Sequence, residues 1–240
     1  GKSTLIRILA GLETATSGEI LLDGKAVTKP GAERGMVFQK YTLFPWLTVK
    51  KNVMFALEMR GVKGKEAEEE ALKYLAMVDL VKFADHYPKE LSGGMRQRVM
   101  IAQAMINSPS LLIADEPTTA LDCVVQAQIL ELLRNIHRTK GTSILFISHD
   151  LNVVRALCSR VIVVYKGEIV EEGQTEDVLL HPKHEYTRHL VASIPEGEKG
   201  ESSGGEILRL TDFAVEIRRL LCRHALKSRQ LCFDLAALLA

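Results

Sequence analysis

Two adjacent acidic residues at the end of an apolar run are the part of this sequence best suited to chemistry. The run Leu111–Ala114 is followed directly by Asp115, Glu116 and Pro117. It predicts a buried parallel strand, and ligands of open α/β sheets bind at the carboxyl ends of such strands. A carboxylate there suits Mg²⁺, which prefers oxygen ligands and retains waters. The alternative is a solvated strand end with an acid that caps the following turn.

A glycine-containing helix start precedes this strand. Leu91–Arg98 reads Leu-Ser-Gly-Gly-Met-Arg-Gln-Arg, and Ser92, Gly93 and Gly94 would open a helix that extends to about Ile106. Glycines let a ligand approach the backbone, and the free N–H groups and dipole of a helix N-terminus favour a phosphate. The alternative is an ordinary serine N-cap followed by flexible glycines.

The sequence begins with a third phosphate-binding pattern. Gly1, Lys2, Ser3 and Thr4 match the last four residues of the P-loop pattern G-x-x-x-x-G-K-[ST]. In that pattern the lysine reaches the β- and γ-phosphates and the hydroxyl binds Mg²⁺. Apolar residues at helical spacing follow, so a helix should begin here. The glycine-rich arc of the pattern does not precede Gly1, and we expect a chain that begins within the P-loop.

Three further segments complete an ordered set of motifs. Val37–Gln39 ends a short apolar strand with an amide, Ala120–Asp122 follows the acidic pair, and Ile144–Asp150 is an apolar strand that leads into His149. With the three patterns above, they resemble the motifs of ATP-binding-cassette (ABC) ATPases, in the same order: Walker A, Q-loop, signature, Walker B, D-loop and H-loop. The resemblance covers roughly residues 1–195 and is to the ATPase subunit of ABC importers.

This resemblance implies a fold and a nucleotide site. The fold would be α/β, a P-loop NTPase-like parallel sheet with an α-helical signature subdomain at about residues 49–107, missing its first strand or strands. Lys2 and Ser3 would hold the phosphates of ATP, with Gly1 and Thr4 beside them, and Ser3 would also bind Mg²⁺.

The same resemblance assigns catalytic roles to the strand ends. Glu116 would polarise the attacking water, His149 would contact the γ-phosphate, and Gln39 would contact Mg²⁺ or the water. Asp115 would ligate Mg²⁺. Asp122 would lie in a loop that crosses to a partner protomer.

The implied assembly shares its sites between two cassettes. Ser92–Gly94 of one protomer would complete the ATP site of the other. The implied partners are integral-membrane permease subunits and a second ABC ATPase subunit, at the cytoplasmic face of the cell membrane. The implied activity is ATP hydrolysis that powers uptake of a small solute.

The sequence resembles two branches of importers, which carry different cargo. Tyr41–Val49 is similar to the branch that imports nitrate, sulfonates and taurine. Gly94–Ala102, Thr118–Leu133 and His181–Pro195 are similar to the branch that imports oligopeptides, dipeptides and nickel. The second branch covers more of the sequence, so peptide-type cargo is favoured and the nitrate type comes next.

Composition excludes some classes of protein. The 240 residues carry a net charge of +1, so no nucleic-acid partner is implied. No run reaches 18 apolar residues, which argues against a membrane span. The four cysteines lack metal-ligand spacing and suggest reduced thiols in the cytosol.

Strands that alternate with helices predict a parallel α/β sheet. A turn at Lys166 and Gly167 predicts a terminal hairpin. Strands are expected at 18–23, 35–38, 110–114, 142–147 and 160–165, and helices at 49–60, 66–78, 124–138, 150–157, 174–180 and 185–193.

Beyond the resemblance, 196–205 is rich in Gly, Glu and Ser and predicts a linker. Residues 206–240 carry apolar residues at helical spacing, including Leu220 and Leu221, and predict a helical tail. The tail would touch a membrane surface or a partner, pack on the core, or be non-native sequence, and the last two readings are preferred.

Two other functions remain open from the sequence alone. A soluble ABC ATPase that acts in DNA repair or translation would share the motifs, although it would normally carry a second cassette or a long coiled-coil insertion. An inactive fragment of an ABC ATPase gene is the other alternative, because much of the phosphate-binding loop does not stand before Lys2.

Overall fold

A computed structural model describes residues 2–119, 121–193, 220–223 and 236–239. The strands are β1 (Glu19–Leu22), β2 (Lys25–Ala26), β3 (Arg34–Val37), β4 (Leu111–Asp115), β5 (Ser143–Ile147), β6 (Arg160–Tyr165), β7 (Glu168–Gln174), β8 (Leu220–Arg223) and β9 (Ala236–Leu239). The helices are α1 (Lys2–Leu9), α2 (Val49–Glu58), α3 (Lys65–Met77), α4 (Gly93–Met105), α5 (Cys123–Lys140), α6 (Leu151–Leu157), α7 (Thr175–Leu180) and α8 (Glu185–Ala192). Short 3-10 helices at Val81–Phe83 and Pro88–Glu90, and strand β2, were not predicted.

The centre of the fold is a six-stranded sheet in the order β3-β4-β5-β9-β6-β7. Neighbours from β3 through β6 are parallel, and β7 closes the sheet antiparallel to β6. The predicted turn between β6 and β7 is confirmed, because Lys166 and Gly167 both have positive φ, as a two-residue hairpin turn requires. The expected α/β class with a parallel core is therefore confirmed.

Alternation along the central strands gives the sheet two apolar faces. On β4, Leu111 and Ile113 join one buried cluster, which also contains Ile6 and Leu9 of α1. Leu112 and Ala114 join the other cluster, which contains α2 to α7. Both faces of β4 are covered, which accounts for its almost continuous apolar sequence. Polar groups at its carboxyl end can reach solvent.

Helices α2, α3 and α4 pack together beside the sheet within the stretch predicted as a signature subdomain. Lys50 of α2 forms ion pairs with Glu68 of α3 at 2.6 Å and with Asp85, between α3 and α4, at 3.2 Å. The hydrogen bond to Glu68 is the main cause of a raised Lys50 pKa, opposed by desolvation and supported by Asp85. The subdomain boundaries themselves stay a prediction.

The C-terminal segment differs from its predicted helix. Residues 220–223 pair antiparallel with β1, and residues 236–239 lie parallel between β5 and β6. The helical prediction is therefore wrong for these two stretches. The physical reason is that unpaired backbone edges of a sheet need hydrogen-bond partners, and an extended segment satisfies them whatever its apolar spacing. The remaining residues of 206–240, and the predicted linker 196–205, lie outside the described residues.

Candidate functional site

Three neighbouring parallel strands end at one edge of the sheet, and each is followed by a predicted catalytic residue. Gln39 follows β3, Glu116 follows β4, and His149 follows β5. The register places Val37 beside Ala114, and places Asp115 beside Ile147. Segments far apart in the sequence are thereby delivered to one place.

The Glu116 carboxylate is the centre of this group. Gln39 Nε2 donates to Glu116 Oε2 at 2.8 Å, and Thr119 Oγ1 donates to the same oxygen at 3.0 Å. His149 Nδ1 lies 3.5 Å from Oε1, an ion pair when the imidazole is protonated. The Glu116 side chain is 14% exposed and that of His149 is 63% exposed. A carboxylate that is mostly withdrawn from water but keeps ordered donors can accept a proton from, or orient, a nearby water.

The backbone of Glu116 is unusual for a residue with a side chain. Its φ is +46°, in the left-handed region, and its N–H donates to the carbonyl of Ile147 at 3.0 Å. Such a conformation costs on the order of 1–2 kcal/mol in a non-glycine residue. This conformation is held where the chain leaves β4 and enters the turn at Pro117. In that turn the Thr119 N–H donates to the Glu116 carbonyl at 3.2 Å.

Thr119 was not predicted as part of the site. It stands three residues after Glu116, so the turn that closes on the Glu116 backbone also returns the Thr119 hydroxyl to the carboxylate. The available signal was a hydroxyl residue at the last position of a turn that begins with a predicted catalytic residue.

The loop around His149 is organised by Asp150, which caps α6. Its Oδ1 accepts hydrogen bonds from the backbone N–H groups of Asn152 at 3.0 Å and Val153 at 3.4 Å. Its own N–H donates to Ser148 Oγ at 3.0 Å. The backbone on both sides of the imidazole is thus held while the ring stays exposed.

The residues predicted to hold Mg²⁺ fit that ion in part. Asp115 ends β4 beside the Glu116 cluster and supplies carboxylate oxygens. Gln39 is engaged with Glu116. Among the described residues there is no cluster of three or more His, Cys, Asp or Glu that would form an all-protein metal cage. This suits Mg²⁺, which proteins usually hold by one or two carboxylates together with the phosphates of a substrate.

The predicted phosphate-binding residues belong to α1. Ser3 and Thr4 are exposed in its first turn, and Ile6 anchors the helix against the sheet. Lys2 is described only as the first residue of this helix, and Gly1 lies outside the described residues.

The signature turn, Ser92–Gly94, is a separate structure. Ser92 is the N-cap of α4, and its Oγ accepts a hydrogen bond from the Met95 N–H at 3.3 Å. A Cβ on Gly93 would lie 3.0 Å from the Tyr41 hydroxyl, and one on Gly94 would lie 2.3 Å from Val125 Cγ1. The signature turn is therefore packed against the residues that follow Gln39 and against α5, whose N-cap is Asp122.

An exposed apolar patch follows residues 39–41, which we call the Gln39 segment. Trp46 is 71% exposed and Met59 is 74% exposed, and the Phe44 ring lies 5.6 Å from Trp46 and 4.8 Å from Phe55. Buried Asn52 fixes the loop beneath by donating to the carbonyls of residues 44, 47 and 48 and by accepting from the Phe44 N–H. We call Phe44, Trp46, Phe55 and Met59 the aromatic patch.

No described helix is long and apolar enough to cross a bilayer.

Comparisons with curated proteins place the chain among transport ATP-binding proteins. It is 49% identical over 164 residues to the nitrate import ATP-binding protein NrtD of Synechocystis, covering 68% of this chain and 62% of that protein. It is 47% identical over 205 residues to the peptidoglycan transport ATP-binding protein YejF of Agrobacterium fabrum, covering 79% and 38%. It is 40% identical over 225 residues to the methionine import ATP-binding protein MetN of Xanthomonas euvesicatoria pv. vesicatoria, covering 88% and 67%.

The chain spans about half the length of several curated relatives that it matches. Among solved structures, the dimeric post-hydrolysis ATP-binding cassette MJ0796 bound to ADP and Pi matches with a TM-score of 0.65 and 34% identity, covering 73% of this chain and 81% of that one. The family model described as ABC transporter matches residues 1–119. The chain belongs to the ABC transporter family.

Proposed function

We propose that this protein is the ATP-binding and ATP-hydrolysing subunit of an ABC importer. The observation that carries the proposal is the Glu116 carboxylate, gathered by Gln39, Thr119 and His149 at the carboxyl ends of three parallel strands. That is the position at which ligands of α/β sheets bind.

Each polar residue of the cluster has a task in hydrolysis. Mg-ATP, when bound, supplies the phosphoryl group and a cation that offsets its charge. Glu116 accepts a hydrogen bond from water and orients it for in-line attack, and Thr119 limits the rotation of the carboxylate. His149, exposed beside Glu116, donates towards the transferred phosphoryl oxygens. Catalysis of this kind is positioning and charge stabilisation rather than covalent chemistry.

The signature turn supports a dimeric site. In this chain it packs against Tyr41 and Val125, and Ser92 is exposed. Its helix N-terminus suits a phosphate. A second cassette, placed head to tail, would bring its own signature turn to the nucleotide held by Ser3 and Asp115 of this chain. The similarity to a dimeric cassette supports this arrangement.

The aromatic patch supports a permease partner. Exposed aromatic and Met side chains are enriched in protein interfaces, and this patch directly follows the Gln39 segment. A membrane subunit docked there would sense the Gln39 segment and would hold this protein at the cytoplasmic face of the membrane.

The cargo is proposed as a small solute. Relatives that are 40–49% identical to this chain are named for nitrate, peptidoglycan and methionine transport. Peptide-type cargo stays the first choice, because the peptide-like stretches of the sequence are the longer ones, and nitrate-type cargo is second.

Glu116→Gln tests the proposal. The amide keeps the size of the side chain but accepts no proton, so phosphate release should fall by about 10²–10⁴-fold while Mg-ATP binding, measured by calorimetry, persists. Glu131→Gln, at an exposed position on α5, is the matched control and should leave both unchanged. Undiminished hydrolysis in Glu116→Gln would reject Glu116 as the catalytic carboxylate. Failure of the unaltered protein to bind Mg-ATP would reject the proposed function.

Mixing two variants tests the shared site. Ser92→Arg obstructs the signature turn, and Lys2→Ala removes the phosphate-binding cation, so each protein alone should be inactive. In a mixed head-to-tail dimer one site has intact Lys2 from one chain and intact Ser92 from the other, and activity should reappear. A mixture as inactive as its components would argue against sites shared between protomers.

A further inference from the structure

We propose that Tyr41 is a positioning residue whose contact with Arg96 couples the Gln39 segment to the signature turn. The meaning of this coupling rests on the proposed function, in which Gln39 attends one nucleotide and the signature turn completes the site of another. Through this contact, the state of the nucleotide site in one protomer would affect the orientation of the signature turn that the same protomer presents to its partner.

The contact itself is a cation over an aromatic face. The Arg96 guanidinium carbon lies 4.7 Å from the centre of the Tyr41 ring, within the range in which the ring quadrupole attracts a cation. Arg96 Nε is buried and has no hydrogen-bond partner among the described residues. The ring is therefore a principal stabilising neighbour for this part of the guanidinium group, although 44% of Tyr41 remains exposed.

Arg96 is joined directly to the signature turn. Its backbone N–H donates to the Ser92 carbonyl at 3.0 Å, closing the first turn of α4. Tyr41 also touches this turn, because its hydroxyl occupies the space that a side chain at position 93 would need, 3.0 Å from the site of a Cβ. Tyr41 thus contacts the first turn of α4 at two points, the backbone of Gly93 and the guanidinium group of Arg96.

Tyr41 is joined equally closely to the catalytic cluster. One residue separates it from Gln39, whose amide donates to Glu116. When Gln39 leaves Glu116 to contact a bound nucleotide, a segment this short carries Tyr41 with it. Arg96, which packs on the Tyr41 ring, then moves as well, together with the start of α4.

A competing route runs through Leu121, just before α5, and through Val125 in the first turn of α5. Leu121 Cδ2 lies 3.7 Å from the Cβ site of Gly93, and Val125 contacts Gly94. If those contacts alone hold the signature turn, changes at Tyr41 will not reach it. The two routes therefore predict opposite results for the same variants.

Hydrogen exchange of the Met95 and Arg96 amides, which hydrogen-bond to Ser92, measures the stability of the turn without nucleotide. Tyr41→Leu removes the aromatic face and should accelerate their exchange about two- to fivefold. Tyr41→Phe keeps the face and loses only the hydroxyl at Gly93, so its exchange should lie much closer to that of the unaltered protein than to that of Tyr41→Leu. The Val99 and Ile101 amides of the same helix should not change in either variant, which excludes general destabilisation of α4.

The coupling is tested by adding Gln39→Leu. In the protein with Tyr41, loss of the Gln39 contact should change the exchange of the Met95 and Arg96 amides. In the Tyr41→Leu background the same replacement should add nothing. Equal effects of Gln39→Leu in both backgrounds, or no effect of Tyr41→Leu, would overturn the inference. Since no nucleotide is used, this outcome is independent of whether Glu116→Gln abolishes hydrolysis.

Discussion

Gln39 Nε2 donates a hydrogen bond to Glu116 Oε2 across 2.8 Å, although the two residues are 77 positions apart in the sequence. The amide that is proposed to contact Mg²⁺ or the attacking water is thus engaged by the carboxylate that is proposed to be catalytic. Under the proposed function, nucleotide binding would exchange this contact for contacts to the nucleotide.

Replacement of Gln39 by leucine should cost stability as well as activity. Leucine is of similar size but donates nothing, so the Glu116 carboxylate loses one of its donors, and the free energy of unfolding should fall by about 1 kcal/mol. Urea denaturation measures this loss. Gln174→Leu is the matched control, because Gln174 is exposed and its side chain makes no cap hydrogen bond at α7. Equal stabilities of the two variants would show that the Gln39 contact contributes nothing to the folded state.

Gly94→Ala should strain the contact between α4 and α5. The new methyl group would lie 2.3 Å from Val125 Cγ1, and a β-branched side chain cannot rotate freely out of the way. Overpacking of this kind costs about 1–3 kcal/mol in unfolding experiments.

The same clash predicts a specific rescue. Val125→Ala should restore most of the stability of the Gly94→Ala protein, since it removes the opposing methyl groups. Gly93→Ala is the control and should cost less, because the atom nearest its Cβ would be the Tyr41 hydroxyl at 3.0 Å, and Leu121 Cδ2 at 3.7 Å would be in ordinary contact. Strictly additive effects of Gly94→Ala and Val125→Ala would contradict the packing described here.

Glu171 should make a pH-dependent contribution to stability. Partial burial raises the pKa of its carboxyl, but hydrogen bonds from the backbone N–H groups of Lys183 and His184, at 2.9 and 3.0 Å, outweigh it and leave the pKa below its ordinary value. A lowered folded-state pKa means that the contribution is present above the unfolded value, about 4.3, and is lost as the pH falls through the folded value.

Glu171→Gln should therefore destabilise the protein by about 1 kcal/mol at pH 7 and by less at pH 3. Denaturation at the two pH values measures the difference. Glu168→Gln, at an exposed position on the same strand, is the control. A loss that is the same at pH 3 and pH 7 would show that the charge of Glu171 is not what anchors the start of α8.

Ala237→Pro should disrupt the central sheet if β9 completes it. Proline lacks an N–H, and its ring is not tolerated within a strand that has neighbours on both sides, so the cost should be about 3 kcal/mol or more. The amides of Phe146 in β5 and Ile162 in β6 should also exchange faster, as these strands flank β9. Ala237→Ser retains the N–H and should have a much smaller effect. Identical behaviour of the two variants would mean that this strand is dispensable.

Much of the site could be predicted because its residues directly follow apolar runs. Glu116 and His149 stand just beyond strands whose composition is unmistakable, and parallel strands bring their carboxyl ends together whatever lies between them in the sequence. The placement of these two residues beside one another follows from that rule. Their roles in hydrolysis stay predictions until the variants are measured.

Contacts made across elements were beyond such rules. Thr119 reaches the Glu116 carboxylate because the turn from Glu116 to Thr119 closes on the Glu116 carbonyl. The stacking of Tyr41 on Arg96 depends on where α4 lies relative to the Gln39 segment. Neither contact can be predicted from the spacing of residues within one helix or strand.

The sequence by itself determined the order of the motifs, the identity of most helices and strands, and the polar residues at the strand ends, because each depends on neighbouring residues along the chain. Only the tertiary structure decided which donors surround Glu116 and that 236–239 lies between β5 and β6. The reason is that backbone pairing within a sheet is satisfied by whichever strand occupies the adjacent edge. For residues 220–223 and 236–239, that non-local requirement outweighed a local pattern that favours a helix.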